Sequence, residues 1–340
     1  AALSTQRRRH RSLRTHRRGV FPRAGGGGRV NGSQIHKAGI ASSVQDSGRV
    51  GTLSIGIPPS GAMDRPALMS GQHQLGHQHD EAAIEMAYAD FAAILTEAHD
   101  VVVTGAPVQL NINQQACRSE GVHRIEAGQT LEVKATREGI YSYLHLSGGI
   151  MTTPQLDSRS TSPREGIGGL DGGFLKDGDI VPLGAPDKAV GAADPQLTIK
   201  NSTTVLKLRF VAGFQFDDFA DEAIRSLLAE EFTVTAKANR MGVMLNGERL
   251  HSGIAALYSE ATCYGAIQVP PDGKPIILLN DRQTVGGYPK PGAVISSDCL
   301  RLAQSRPGQR VRFAVCSPEE ADRIGWLEQH YLETRLRDRH

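Results

Sequence analysis

The sequence predicts a mainly β fold, a β-rich α+β chain, and three observations carry that expectation. Short apolar patches recur between residues 82 and 146 at the regular spacing of antiparallel strands. Turn formers are abundant, with 38 Gly and 17 Pro, while aromatic residues make up only 5%. That balance favours many turns between short strands over long helices. The intervals between strands are too short for the crossover helices of a βαβ nucleotide fold, so a sandwich or barrel is expected. At 340 residues the chain has room for roughly two domains of about 150 residues each.

The first 33 residues carry nine arginines and no acid. Without them the chain holds 29 basic against 36 acidic residues, a net of −7, so the body gives no electrostatic reason to expect nucleic acid. Residues 1–33 are read as a disordered Arg-rich tail with three origins open: a targeting peptide, a nucleic-acid-binding arm, or an upstream extension followed by the flexible run Gly25–Gly28. No apolar run approaches the roughly 20 residues that span a bilayer, so no membrane partner is expected. Cys117, Cys263, Cys299 and Cys316 are widely spaced, with no C-x-x-C pair. They read as reduced thiols of a cytoplasmic protein.

Taken in order, a first strand opens at 35–40, and polar turns follow at 43–51 and 58–64. Asp64 is a good N-cap and Pro66 falls in the first turn, which predicts a helix over 65–75 stopped by Gly76. His73 and His77 have ligand spacing only if that helix runs through Gly76, and with His79 they read as helix-end histidines rather than a metal site. Strands are expected at 84–87, 92–96, 101–104, 108–112, 130–133 and 141–146. The glycine-rich passage 158–173 fits neither standard phosphate-loop pattern and is either a capping loop or an anion nest. A linker is expected at 184–194 and a new strand at 205–211. Acids in the first turns and an apolar face at Phe219, Ala223 and Leu227 predict a long helix over 216–231. Strands at 232–236 and 311–315 follow, then a charged surface helix over 318–337 with Trp326 as its anchor.

The densest chemistry lies in residues 265–289. Ile276, Ile277, Leu278 and Leu279 form an apolar run typical of a strand buried on both faces. It ends abruptly in Asn280, Asp281, Arg282, Gln283 and Thr284 before a glycine and proline turn. Donors and acceptors on a rigid strand end suit a small polar ligand, and they equally suit a solvated turn.

The motifs Gln45-Asp46-x-Gly48-Arg49-x-Gly51, Pro58-Pro59-Ser60-Gly61-Ala62-Met63-Asp64, Gly148-Gly149, Ser158-Arg159-Ser160-Thr161 and Gly168-Gly169 occur in that order. Asn239-Arg240-Met241-Gly242, Gly265-Ala266-Ile267-Gln268-Val269-Pro270 and Asp281-Arg282-Gln283-Thr284-x-Gly286-Gly287-Tyr288-Pro289 follow them. Together they resemble the family of the C-type component of bacterial 5-oxoprolinase, also labelled biotin-dependent carboxyltransferase, subdomains A and B, or allophanate hydrolase subunit 2. The same family includes the antagonist of the histidine-kinase inhibitor of sporulation. The chain departs from it where relatives usually have Ala-Asn and it has Gly71-Gln72, and where an arginine usually follows Met-Gly and it has Met244.

The resemblance implies a carboxyltransferase-like subdomain A over 34–195, a cyclophilin-like β-barrel subdomain B over 196–318 and a C-terminal helix over 319–340. It implies a subunit of an ATP-dependent 5-oxoprolinase complex, acting with subunits A and B to open 5-oxo-L-proline to L-glutamate, with ATP and Mg as cofactors and no activity expected alone. Asp281, Arg282, Gln283 and Thr284 would then stabilise developing charge. Arg240 and Gln268 would orient the amide, and Asp46, Arg49, Ser60 and Asp64 would line the facing wall. Two alternatives stand beside this: a carboxyltransferase component acting on urea or a related amide, with biotin arriving on a partner, and a non-enzymatic binder of a B-type regulatory subunit.

Overall fold

The computed structural model describes residues 31–186, 204–254 and 257–337. Nearly all of the predicted Arg-rich tail, most of the predicted linker and the expected boundary at 195 lie outside the described residues.

In chain order the first part carries β1 (Gly32–Lys37), β2 (Ala41–Gln45), α1 (Arg65–Leu75), β3 (Ala83–Ala87), β4 (Asp90–Leu95), β5 (His99–Gly105), β6 (Val108–Ile112), β7 (Gln115–Cys117), β8 (His123–Ile125), β9 (Thr130–Ala135), β10 (Tyr141–Leu146) and β11 (Ile180–Pro182). Then follow β12 (Val205–Ala212), α2 (Asp221–Ala229), β13 (Phe232–Asn239), β14 (Gly242–Asn246), β15 (Glu260–Ala261), β16 (Ile267–Gln268), β17 (Ile276–Leu278), β18 (Val285–Gly286), β19 (Gly292–Val294), α3 (Ser296–Ala303), β20 (Arg310–Val315) and α4 (Pro318–Arg337).

The first part is a sandwich of two antiparallel sheets, β11-β1-β4-β9-β6-β7 and β2-β3-β10-β5-β8. Strand β10 shows how it is placed, because every one of its residues is buried. Its even positions, Leu144 and Leu146, join Phe91, Leu131 and Val133 in the sandwich core. Its odd positions, Tyr141 and Tyr143, join a second core with Leu68 of α1 and residues of the later strands. Period-two alternation thus sends one strand into two cores, each fully buried large side chain stabilising by about 1.5–3 kcal/mol.

The later strands form a seven-stranded sheet, β16-β17-β14-β13-β20-β12-β19. A bridge between Ala266 and Ala293, with the Val294 N–H donating to the Gly265 carbonyl at 2.8 Å, brings its two ends together into a barrel. Gly265 has φ +80°, and a Cβ there would lie 2.1 Å from the Val294 carbonyl oxygen. Only glycine permits this closure.

Helix α1 begins and ends where the sequence places it. The Asp64 carboxylate accepts from the Ala67 N–H at 3.1 Å, and Gly76 closes the helix with φ 70°. Four expectations are corrected. Residues 43–45 of the polar turn expected over 43–51 belong to strand β2, because Ser43 and Gln45 are buried with internal hydrogen bonds such as Gln45 to the Thr161 carbonyl at 3.1 Å. The first strand is Gly32–Lys37 and ends before Gly39. The helix expected over 216–231 is a short 3-10 turn at Phe216–Asp218 and then α2, separated where Ala220 turns extended and donates its N–H to the Ser252 carbonyl at 3.2 Å. Trp326 is no anchor: it is 63% exposed and stacks on His330 at 5.1 Å, while Ile324 and Leu332 on other faces of α4 are half-buried. Among the described residues no helix is long and apolar enough to cross a membrane.

Candidate functional site

Sandwich and barrel meet around a buried ion triad. The β13–β14 turn carries Arg240, with the Asn239 side chain accepting from the Met241 N–H at 2.8 Å. From that turn the guanidinium reaches Asp281 at the end of the buried β17 run, Glu85 on β3, and the Gly61 carbonyl at 2.8 Å. Burial works against the Arg240 charge, but Asp281 and Glu85 outweigh it and push the pKa well above the ordinary value. Glu85 also accepts from the Tyr143 hydroxyl and the Met63 N–H, both at 2.8 Å. Asn280 donates to the Ala62 carbonyl at 2.9 Å. Every charged partner of Arg240 is thus internal, which makes the triad a clasp between the two halves.

Sequence reasoning missed Glu85. The signal was there, in an acid at the centre of the apolar pattern Ala83-Ile84-Glu85-Met86-Ala87, where only a partnered charge can sit. It also missed Gln304, whose side chain accepts from the Ile140 and Tyr141 N–H groups and donates to Asp64 at 2.8 Å and to the Tyr141 carbonyl. Nothing local in the sequence marks that glutamine.

Asp46 is equally occupied. Its carboxylate accepts from the Gly48 N–H at 2.9 Å, the Ser158 and Ser160 hydroxyls at 2.6 and 2.5 Å, and the Arg159 N–H at 2.5 Å. Arg49 donates to the Ser160 carbonyl at 2.6 Å and the Gln155 carbonyl at 3.2 Å, leaving Nη1 buried without a partner. Burial lowers its pKa, partly offset by Asp46, Asp281 and Glu165. Gly168 closes this knot: a Cβ there would lie 1.9 Å from the Ser160 carbonyl oxygen. The glycine-rich passage therefore folds onto Asp46 as a structural wall.

Gln283 donates to Gln268 at 2.9 Å, and Gln268 keeps a buried amide nitrogen without a partner. Thr284, half-buried, accepts at its carbonyl from the Thr262 N–H at 3.0 Å. Asp64 is wholly buried, and its carboxyl is raised to about 6, chiefly by desolvation.

Two cavities flank the clasp, and the neighbours Asp281 and Arg282 line different ones. A cleft of about 400 Å³ carries Glu85, Arg240 and Asp281 among apolar walls that include Met63, Tyr88 and Phe174. The other cavity, about 720 Å³, is lined by Ser60, Asn280, Arg282, Tyr264, Ser296 and Ser297 together with parts of α1 and α4. Here two polar groups, Arg282 and Ser60, are not consumed. Arg282 is 5% exposed, its Nε has no partner, and its one hydrogen bond is a long one to the Leu279 carbonyl at 3.4 Å. Burial lowers its pKa, opposed only by Cys263, Tyr264 and Cys299. Ser60 holds φ 56°, a left-handed conformation costly for a side-chain-bearing residue, with its hydroxyl buried and unpartnered. Chemically, the larger cavity offers a desolvated cation and an unpartnered hydroxyl in its lining.

Of the ten residues the sequence singles out, the fold joins Arg240 with Asp281 and Gln268 with Gln283, and it places Ser60 and Arg282 in the lining of one cavity. It sets Asp46 apart in the serine knot. The cavity does not fit a nucleotide triphosphate: its lining carries as many acids, Glu328 and Glu333, as cations, Arg65 and Arg282, and no phosphate-loop glycine motif lines it. Among the described residues no cluster of His, Cys, Asp or Glu is arranged to hold a metal ion.

Comparison with known proteins adds three findings. Residues 55–315 match the family described as carboxyltransferase domain, subdomain A and B. The chain is 33% identical to the C-type component of 5-oxoprolinase from Escherichia coli (strain K12), over 88% of its own length and 96% of that protein. It also resembles the urea amidolyase of Kluyveromyces lactis in crystal structure, with TM-score 0.83 and 24% identity over 90% of this chain, a likeness of fold. The chain spans only about a fifth of that larger protein, 20% of its length.

Proposed function

We propose, from the premise that the chain belongs to the family of carboxyltransferase domains, subdomains A and B, that it is the C-type component of an ATP-dependent 5-oxoprolinase, opening 5-oxo-L-proline to L-glutamate. The observation that carries this reading is the alignment with the Escherichia coli C-type component, which runs along nearly the whole of that protein. In this reading the sandwich is subdomain A, the barrel is subdomain B, and the complex is cytoplasmic.

A lactam is a poor electrophile, so the reaction needs a ring held rigidly while its carbonyl oxygen gains negative charge or is phosphorylated. Fixed donors at the junction suit the holding role. Since the cavity lining carries as many acids as cations, we assign ATP and its metal to the A and B partners and route no phosphoryl step through these residues. The chain alone is then inactive. Mixing it with A-type and B-type subunits, ATP and 5-oxo-L-proline is expected to release L-glutamate, with no release when any one chain is omitted. A full mixture that consumes ATP and substrate at background rates removes the reading.

A second reading rests on the fold shared with urea amidolyase: a carboxyltransferase component receiving the carboxyl group from carboxybiotin on a partner. Label from bicarbonate entering urea or a related amide, dependent on a biotin-bearing chain, would select it.

A further inference from the structure

The molecule contains two buried arginines of opposite character within one junction. Arg240 meets two carboxylates and a carbonyl. Arg282 lies just beyond the end of the neighbouring strand β17, equally buried, and among the described residues no carboxylate pairs with it. A guanidinium withdrawn from water without a counter-charge costs several kcal/mol. Such a group persists where a ligand supplies the missing anion.

Three features beside Arg282 point to the same ligand chemistry. Ser60 keeps its unpartnered hydroxyl on a left-handed backbone at the cavity wall. Helix α3 presents Ser296 and Ser297 to the cavity from its N-terminus, and its N-cap residue Ile295 supplies no side-chain acceptor. That end already carries Asp298 in its first turn and has Glu328 of α4 beside it, so what it offers a ligand is its two serine hydroxyls. Arg65 adds a second cation.

The remaining wall has the opposite sign. It comes from α4, which begins at Pro318, beyond the residues that match the family. Glu328 and Glu333 line the cavity there. Two arginines and two glutamates sum to zero, which disfavours a multiply charged phosphate and favours a ligand with one carboxylate and an N–H donor.

We propose that this cavity is the recognition site for a small acid of that kind, a lactam acid or an amino acid. Arg282 and Ser60 hold the carboxylate, and the acidic face of α4 takes the N–H side. The inference rests on the oxoprolinase reading only for the name of the natural ligand; the carboxylate site stands on the geometry. It makes the C-terminal helix part of the site.

The test is calorimetric titration of the full chain, alone and with its partner subunits, using 5-oxo-L-proline, L-glutamate, 2-pyrrolidinone and inorganic phosphate. The two acids are expected to bind, and 2-pyrrolidinone, the same ring without its carboxylate, to bind at least tenfold more weakly, as is phosphate. Arg282→Gln is expected to weaken acid binding at least tenfold and Arg282→Lys less. Ser60→Gly removes the hydroxyl while relaxing the backbone, so it should weaken binding severalfold without lowering the melting temperature. That variant carries the test if Arg282→Gln fails to fold.

Absence of acid binding in every mixture, or tighter binding of phosphate than of the acids, overturns the proposal. The two readings separate cleanly. Acid binding that depends on Arg282, in a mixture that never releases glutamate, keeps the site and removes the oxoprolinase reading. Glutamate release unaffected by Arg282→Gln and Ser60→Gly keeps that reading and removes the site.

Discussion

Arg240 grips Asp281 at two points, Nε to Oδ2 at 2.7 Å and Nη2 to Oδ1 at 3.0 Å, while its third nitrogen holds Glu85 from the other half of the molecule. Removing the arginine leaves two buried carboxylates facing each other. Arg240→Met is expected to lower unfolding free energy by about 3–5 kcal/mol, read from urea denaturation. Adding Glu85→Gln and Asp281→Asn to that variant should recover a large part of the loss. A single variant within about 1 kcal/mol of wild type would show that the clasp contributes little.

Gln304 joins the same halves without charge, its side chain serving four partners: the Ile140 and Tyr141 N–H groups, the Tyr141 carbonyl and Asp64. Gln304→Ala strands several buried polar groups at once. A loss of about 3 kcal/mol is expected in chemical denaturation, and Gln304→Glu should not restore it, since a second acid would face Asp64.

Asp64 links the clasp to pH. Its folded pKa, raised to about 6 by desolvation, exceeds the ordinary carboxylate value of 3.8. The folded protein therefore binds this proton more tightly than the unfolded chain, and stability from this group is full below pH 3.8 and is lost as pH rises through 6. Asp64→Asn does not titrate. The stability difference between variant and wild type should shift toward the variant by on the order of 3 kcal/mol between about pH 4 and about pH 7, measured by denaturation at both values. A pH-independent difference would refute the assignment.

Gly71 sits in α1 where the resembled family usually has alanine, and the fold supplies the reason. A Cβ there would lie 2.1 Å from the ring of His145, which is wholly buried and bonded to Thr104 at 3.1 Å. Burial, with His77 nearby, pushes that imidazole down to about 3 and keeps it neutral. Gly71→Ala should destabilise by about 1–3 kcal/mol through overpacking, although alanine is the better helix former. His145→Ala in the same chain should relieve it, giving a double variant more stable than the sum of the two single changes implies.

Local rules were sufficient wherever one element settled its own fate. Asp64, Pro66 and Gly76 bound α1, and the apolar run at Ile276 marked a strand buried on both faces. They failed where distant groups decide. Ser43 and Gln45 read as a turn because nothing near them shows that their polar atoms will be satisfied inside the fold, Gln45 by the Thr161 carbonyl more than a hundred positions on. Helix α3 has no capping side chain to announce it. The polar strand end was visible as a concentration of chemistry, yet the opposite fates of Asp281 and Arg282 were not. Asp281 meets Arg240, 41 positions earlier, and Arg282 meets no acid among the described residues. Which of two adjacent charges is quenched depends on the side of the β17 end each one leaves from.

Joining Ala266 to Ala293 also decides how another chain can approach. A sheet with a free border invites an incoming strand to extend it through main-chain hydrogen bonds. In the nearly closed seven-stranded ring most of that border is used up. Docking on that ring is then read through side chains, which makes it sensitive to single surface substitutions, whereas the small β15–β18 ribbon and the sandwich margins β7 and β8 keep main-chain borders. Strand β2 is already covered by the 158–175 passage, whose Thr161 and Leu175 N–H groups donate to the Val44 and Ser42 carbonyls.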